Sequence, residues 1–293
     1  MKAPKFSYIR ATSVEHALEL LDKHGEDGRI LAGGQSLMPT LNMRLSQPEI
    51  LIDINGLDDL KGISLDGDTV RIGALTRHVE VMNSDIVAEH LPLIAEAMPH
   101  VAHVAIRNRG TIGGSVALAD PAAEMPACIL ALGATLVVQG SGGKREIPAE
   151  DFFHGLYETA RAETELLVEI RIPSQKADKV SVFLELARRH GDFAIAGIAA
   201  YGSVSGSTVN DMRLVYFASE DKPTIGSNAI AALNGKTWSD ETREAVNTAL
   251  EADLEPMANL HGSAAMKMHL QKVLTGRAMD AAIVRASGAG GAA

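Results

Sequence analysis

Two glycine pairs with hydroxyl neighbours constrain this chain more than any other feature. They are Leu31-Ala32-Gly33-Gly34-Gln35-Ser36 and Gly110-Thr111-Ile112-Gly113-Gly114-Ser115. Glycine lacks a Cβ, so its backbone can approach another group closely and can adopt positive φ. Backbone N–H groups in such a turn, near a helix start, hold negative charge, and a Ser or Thr hydroxyl adds a donor. One diphosphate gripped from two sides would use both segments. Each also reads as an ordinary strand-to-helix turn, and their composition alone leaves both readings open.

Other phosphate loops fit less well. Gly143-Lys144 is followed by Arg145, and Val138 stands where a Walker glycine belongs. The first loop continues Gly33-Gly34-Gln35-Ser36-Leu37-Met38 rather than G-x-G-x-x-G, which disfavours a Rossmann domain. Neither loop carries a G-x-S-x-G elbow.

The periodicity mixes helices and strands in an order that is not a βα repeat, so the fold class is α+β. Thr12-Ser13-Val14-Glu15 reads as a capping box for a helix that stops at Gly25. Residues 29–32 and 50–54 read as strands, and Leu37 to Leu45 as a helix with Pro39 in its first turn. Val70, Ile72 and Ala74 alternate with Arg71 and Gly73, as on a half-buried strand. Thr76 and Ser84 are candidate N-caps for helical stretches reaching about His103. Ala122 to Leu132 is a buried helix, and Ala134 to Gln139 a strand. Leu166, Val168, Ile170 and Ile172 read as one apolar strand face. After a polar linker at 174–179 come long strands at 180–188, 194–203 and 211–218, then helices from Ser239 and Ser263.

At 293 residues the chain suggests about two domains. Its net charge of −10 argues against nucleic acid, which would need a basic face. The single cysteine, Cys128, excludes an intrachain disulfide and any Cys-ligated cluster built by this chain alone. It lies in an apolar helix and reads as a buried, inert thiol. The first ten residues hold no apolar run of signal-peptide length, and no stretch of about 18 apolar residues occurs, so the expected location is cytoplasmic. His100 and His103 lack a third ligand and read as packing or surface residues. Met257, Met266, Met268 and Met279 read as core filler. Arg107 and Arg109 flank the second loop and face phosphate, or else solvent or a partner.

The block A-I-R-N-R-G-T-I-G-G-S-V-A-L-A-D-P-A-A-E-M-P-A, residues 105–127, resembles the FAD-binding medium subunits of molybdenum hydroxylases of the carbon monoxide dehydrogenase and xanthine dehydrogenase type. L-A-G-G-Q-S-L-M-P, R-R-H-G-D-F-A and G-S-A-A-M-K-M-H-L-Q-K-V-L-T extend the resemblance over nearly the whole chain. It implies an FAD-binding domain of the para-cresol methylhydroxylase (vanillyl-alcohol oxidase-like) type over residues 1–175, with subdomains of about 1–56 and 57–175. It further implies a C-terminal α+β domain of the carbon monoxide dehydrogenase flavoprotein type at 178–286 and a flexible tail at 287–293.

By the same resemblance, Ala32, Gly33, Gly34, Gln35 and Ser36 hold a non-covalent FAD diphosphate together with Thr111, Ile112, Gly113, Gly114 and Ser115. Glu124 stands where the family more often has Asp and implies an acceptor for a ribityl or ribose hydroxyl; Asp120 caps the helix that follows. The backbone of Leu167 approaches the flavin, and Phe193, often Tyr or Trp in the family, shields one ring face. Glu185 departs from a frequent lysine, and a carboxylate near the ring disfavours the anionic reduced flavin.

Implied partners are a small subunit with two [2Fe–2S] clusters and a large molybdopterin subunit, in a dimer of heterotrimers. This chain would relay electrons to an external acceptor. The competing readings are a stand-alone flavoprotein oxidoreductase and a non-catalytic nucleotide-binding assembly protein. Valine at Gly34 or Gly113 is expected to abolish cofactor binding while sparing the fold.

Overall fold

The structure is a computed structural model and describes residues 2–288. Three strands, β1 (Ser7–Arg10), β2 (Gly28–Leu31) and β3 (Ile50–Asp53), form a parallel sheet in the order β1-β3-β2. Helix α1 (Val14–His24) covers it with Ala17, Leu18, Leu20 and Leu21, and Gly25 at φ 51° ends the helix. The cap of α1 is Ser13, whose hydroxyl accepts from His16 N; Thr12 sits one residue too early and bonds the His16 ring instead, so no capping box forms. Helix α2 (Leu37–Asn42) carries Pro39 in its first turn, where no intrahelical N–H is needed.

A second, antiparallel sheet has five strands: β4 (Ile63–Asp66), β5 (Thr69–Gly73), β6 (Thr135–Gly140), β7 (Gly143–Pro148) and β10 (Leu166–Pro173), ordered β4-β5-β10-β6-β7. Between β7 and β10, β8 (Phe153–Gly155) and β9 (Glu158–Thr159) make a small hairpin. The expected single apolar face of β10 is split. A bulge between Leu167 and Glu169 turns Leu166 and Val168 towards α1 and the parallel sheet, while Leu167, Ile170 and Ile172 face the opposite core.

That opposite core is built by short helices: α3 (His78–Met82), α4 (Asp85–His90), α5 (Pro92–Ala97), α6 (Val104–Arg107), α7 (Ile112–Leu118) and α8 (Glu124–Ala131). Ser84 caps α4 as expected. Thr76 does not cap α3; Arg77 holds that position, and the Thr76 hydroxyl bonds Gly62. Asp120 accepts from Ala122 N one turn ahead of α8 rather than capping it.

The third sheet contains β11 (Val180–Ala187), β12 (Ala194–Ser205), β13 (Thr208–Phe217), β14 (Thr224–Ile225) and β15 (Lys236–Thr237). The long strands β11, β12 and β13 bury residues on both faces. Val215 and Phe217 join the core under α8, while Leu214 and Tyr216 face helices α9 (Ser227–Leu233), α10 (Asp240–Leu250) and α11 (Ala264–Ala286). From α11, buried Lys267 donates to Ala218 O at 3.0 Å and Gln271 to Phe217 O at 3.0 Å, which pins the end of β13. Met279 is core and Met268 partly so, but Met257 and Met266 are exposed because their segments lie on the rim of this layer. Of the expected tail, Ser287 and Gly288 form a turn, and 289–293 lie outside the described residues.

The seam between the helical core and the third sheet is polar. Glu96 on α5 accepts from both terminal nitrogens of Arg285, at 2.6 and 2.8 Å, and from Phe183 N at 3.1 Å. His100 Nδ1 lies 3.3 Å from the buried Glu185 carboxylate. Burial pushes the nearby Glu124 carboxyl up to about 7, with Glu185 and Asp120 adding to the shift and His100 opposing it. The hydrogen bond to Glu185 raises the His100 imidazole, against burial.

Between the ordinary carboxyl value of 4.5 and about 7, the folded state keeps a Glu124 proton that the unfolded chain releases. Stability from this group therefore falls as pH rises through that window and levels off above it. Thermal melts from pH 5 to 8 should show the wild type losing up to about 3 kcal/mol relative to Glu124→Gln. Parallel curves would show that Glu124 does not titrate there.

Candidate cofactor site

The first loop, Ala32 to Ser36, runs between β2 and α2 with the carbonyls of Ala32, Gly33, Gly34 and Ser36 engaged. Asn55 Nδ2 donates to Ala32 O at 2.7 Å and to Leu31 O at 3.2 Å. Gln35 Nε2 donates to Gly33 O at 2.9 Å, and Met38 N to Gly34 O at 3.0 Å. Its donors are free by contrast. Among the described residues, the N–H groups of Gly33, Gly34, Gln35 and Ser36 reach no acceptor. Gly34 adopts φ +71°, and the exposed Ser36 makes no capping bond with its hydroxyl. A turn with satisfied carbonyls and open amides is an anion cradle.

The second loop has similar composition and a different hydrogen-bond state. Thr111 caps α7 by accepting from Gly114 N at 3.1 Å. Ile112 N and Gly113 N donate to Thr76 O and Ala74 O, both at 3.0 Å, and Ser115 N to Thr111 O at 3.1 Å. The amides of 112–115 are thus consumed inside the chain. What this loop presents outward is exposed Gly114, half-buried Ser115 and, just before it, Arg109.

Gly113 is a packing glycine: a Cβ there would come within 2.6 Å of Ala74 Cα. The expectation that Gly113→Val spares the fold therefore does not hold, whereas at Gly34 the nearest obstacles are the side chains of Leu31 and Met38.

The two loops touch. A Cβ on Gly33 would overlap the Arg109 carbonyl and lie 2.7 Å from Gly110 Cα. Beside this contact opens a cavity of about 610 Å³, lined by Ala32 to Gln35 of loop one with Tyr8, Asp53, Asn55, Arg77 and Arg109. Burial works to raise the Asp53 carboxyl, but hydrogen bonds from Tyr8 and Asn55 hold it below its usual range. Open amides and two guanidiniums at a place of close backbone approach fit a dinucleotide diphosphate.

Ser36, Thr111 to Ser115, Glu124, Leu167 and Phe193 do not line this cavity. Glu124 lies at the seam and Leu167 in the helical core, while Phe193 precedes β12 and is 63% exposed. Arg107 faces neither phosphate nor solvent: it is buried and donates to Val101 O and Ala102 O, at 2.9 and 2.7 Å. Tyr8, Asp53, Asn55 and Arg77 escaped the sequence reading. Asn55-Gly56 signalled only a turn, and nothing in composition links it to Arg77.

Residues 4–175 match the FAD binding domain in molybdopterin dehydrogenase, and 181–282 the CO dehydrogenase flavoprotein C-terminal domain. The chain is 39% identical over 285 residues to the carbon monoxide dehydrogenase medium chain of Hydrogenophaga pseudoflava, covering 97% of this chain and 99% of that one. It is 38% identical to the 6-hydroxypseudooxynicotine dehydrogenase complex subunit alpha of Paenarthrobacter nicotinovorans, over 98% and 97% of the two chains. A solved carbon monoxide dehydrogenase from H. pseudoflava, lacking the Mo-pyranopterin moiety, superposes with a TM-score of 0.94 at 40% identity, over 97% and 99% of the two chains. With an FAD-binding domain and a CO dehydrogenase flavoprotein C-terminal domain in one chain, the protein belongs to the FAD-binding medium subunits of the molybdenum hydroxylase family, oxidoreductase subunits of the carbon monoxide dehydrogenase and xanthine dehydrogenase type.

Proposed function

We propose that this chain is the electron-transfer subunit of a heteromeric molybdenum hydroxylase. It accepts electrons from [2Fe–2S] clusters on a small partner subunit and passes them to an external acceptor. The organic substrate is oxidised at a molybdopterin site on a large partner, in a dimer of heterotrimers. The observation that carries the reading is loop one, in which the carbonyls of Ala32, Gly33 and Gly34 are satisfied and the amides of 33–36 are free. Bound FAD would supply a carrier that takes electrons one at a time from such clusters and can hold two of them.

The chain's own residues do the holding. Gly33, Gly34, Gln35 and Ser36 offer amides to the diphosphate, and Arg109, exposed beside the cavity, offsets its charge. Loop one packs against the Arg109–Gly110 backbone, and Thr111 to Ser115 follow directly, with the half-buried Ser115 as the hydroxyl proposed to face the cofactor. Glu124, protonated up to about pH 7, can donate to or accept from a ribityl oxygen. Leu167 and Phe193 are the backbone and ring proposed to meet the isoalloxazine. Glu185, where the family often has lysine, sets its carboxylate 3.3 Å from His100 Nδ1.

Neither loop contains a His or Cys to form a flavin bond. Acid precipitation of the purified chain should therefore release the yellow colour into the supernatant; colour retained in the pellet would contradict non-covalent binding. Gly34→Val should lose FAD while its far-ultraviolet circular dichroism stays that of the wild type, because valine resists positive φ and fills the cradle. Full flavin occupancy in that variant would remove loop one from the site.

Metal analysis of the chain alone should find neither iron nor molybdenum. Substrate-dependent bleaching should appear only when both partners are added. Turnover of an organic substrate by the metal-free single chain would favour a stand-alone oxidase.

A further inference from the structure

The two loops come from different layers, yet one continuous line of side-chain hydrogen bonds joins them. Asn55, in the turn after β3, donates from Nδ2 to the loop-one carbonyl of Ala32 at 2.7 Å. Its Oδ1 accepts from Arg77 NH2 at 2.7 Å, and Arg77 NH1 donates to Arg109 O at the mouth of loop two. Arg77 is itself anchored at the start of α3, where its N–H donates to Glu80 at 2.6 Å. Asn55 is anchored from the other side, its N–H and Nδ2 donating to Asp53 Oδ1 at 2.9 and 2.7 Å.

The Arg109 carbonyl is also the group against which Gly33 packs. A carbonyl that close to an anion site is repulsive unless a donor covers it, and Arg77 covers this one. The Ala32 carbonyl, turned towards Asn55, is kept from competing with the open amides of Gly33 and Gly34.

We infer that Asn55 and Arg77 are a positioning pair, a polar brace that sets the spacing of the two loops and holds loop one in its anion-binding form. This rests on the reading of loop one as the diphosphate site. Arg77 also lines the cavity, so its charge could act on a phosphate directly, and the test must separate brace from contact.

The probe is ADP, which carries the diphosphate without the flavin. Its affinity for the flavin-free chain is measured for wild type, Asn55→Ala, Arg77→Met, Arg77→Lys and the Asn55→Ala/Arg77→Met double variant, with thermal melting as the folding check. Each single variant should weaken ADP about tenfold, the scale of one broken polar link. The double variant should be no weaker than Arg77→Met, because both changes cut the same line. Arg77→Lys keeps the charge but cannot hold both ends, so it should remain weak. Should Asn55→Ala fail to fold, Asn55→Asp takes its place, since it keeps Oδ1 but loses the donor to Ala32.

ADP affinity unchanged in the Asn55 variant, additive losses, or rescue by Arg77→Lys would overturn the brace and make Arg77 a direct phosphate contact. Failure of ADP to bind the wild type or to compete with FAD would instead overturn the diphosphate reading itself.

Discussion

The contact between Gly33 and the Arg109–Gly110 backbone is the constraint on which the site depends. Loop one ends a strand of the parallel sheet, and loop two opens a helix in the core of the five-stranded sheet. They meet only because no Cβ separates them. Once they meet, the geometry divides the labour. Loop two spends its amides on Thr76, Ala74 and Thr111 and becomes a rigid wall. Loop one is propped against that wall with its acceptors tied back and its donors left open.

Two segments of like composition thus do different work because their surroundings differ. Gly34 is a conformational glycine at φ +71°, Gly33 a close-approach glycine, and Gly113 a packing glycine beside Ala74. The motif G-G with a hydroxyl could locate the site, but it could not distribute these roles, since each is set by a partner far away in sequence. The same limit explains Asn55 and Arg77, which lie 22 residues apart and are joined by one hydrogen bond. No local pattern encodes such a pair.

Elements with strong local signals were legible. Helix α1 ends at Gly25, and α10 and α11 start at the hydroxyl caps Ser239 and Ser263, as the sequence indicated. Buried strands such as β3, β12 and β13 announced themselves by apolar β-branched and aliphatic runs. Strand β1 did not, because its Ser-Tyr-Ile-Arg residues are mostly exposed and its pairing with β3 spans more than forty residues. The face of β10 was misread because a bulge changes side-chain parity in mid-strand. Charge at the seam was legible only as composition: burial, not sequence, turns Glu124 into a group that titrates near neutrality.

The account stands on the open amides of loop one, and hydrogen–deuterium exchange reads them directly. Peptides covering residues 32–38 and 110–118 are followed in the flavin-free chain and after saturation with FAD. The account predicts strong slowing of exchange in the first peptide. It predicts little change in the second, whose amides at 112–115 are already paired. Saturation with FAD that leaves 32–38 exchanging at its original rate would contradict it.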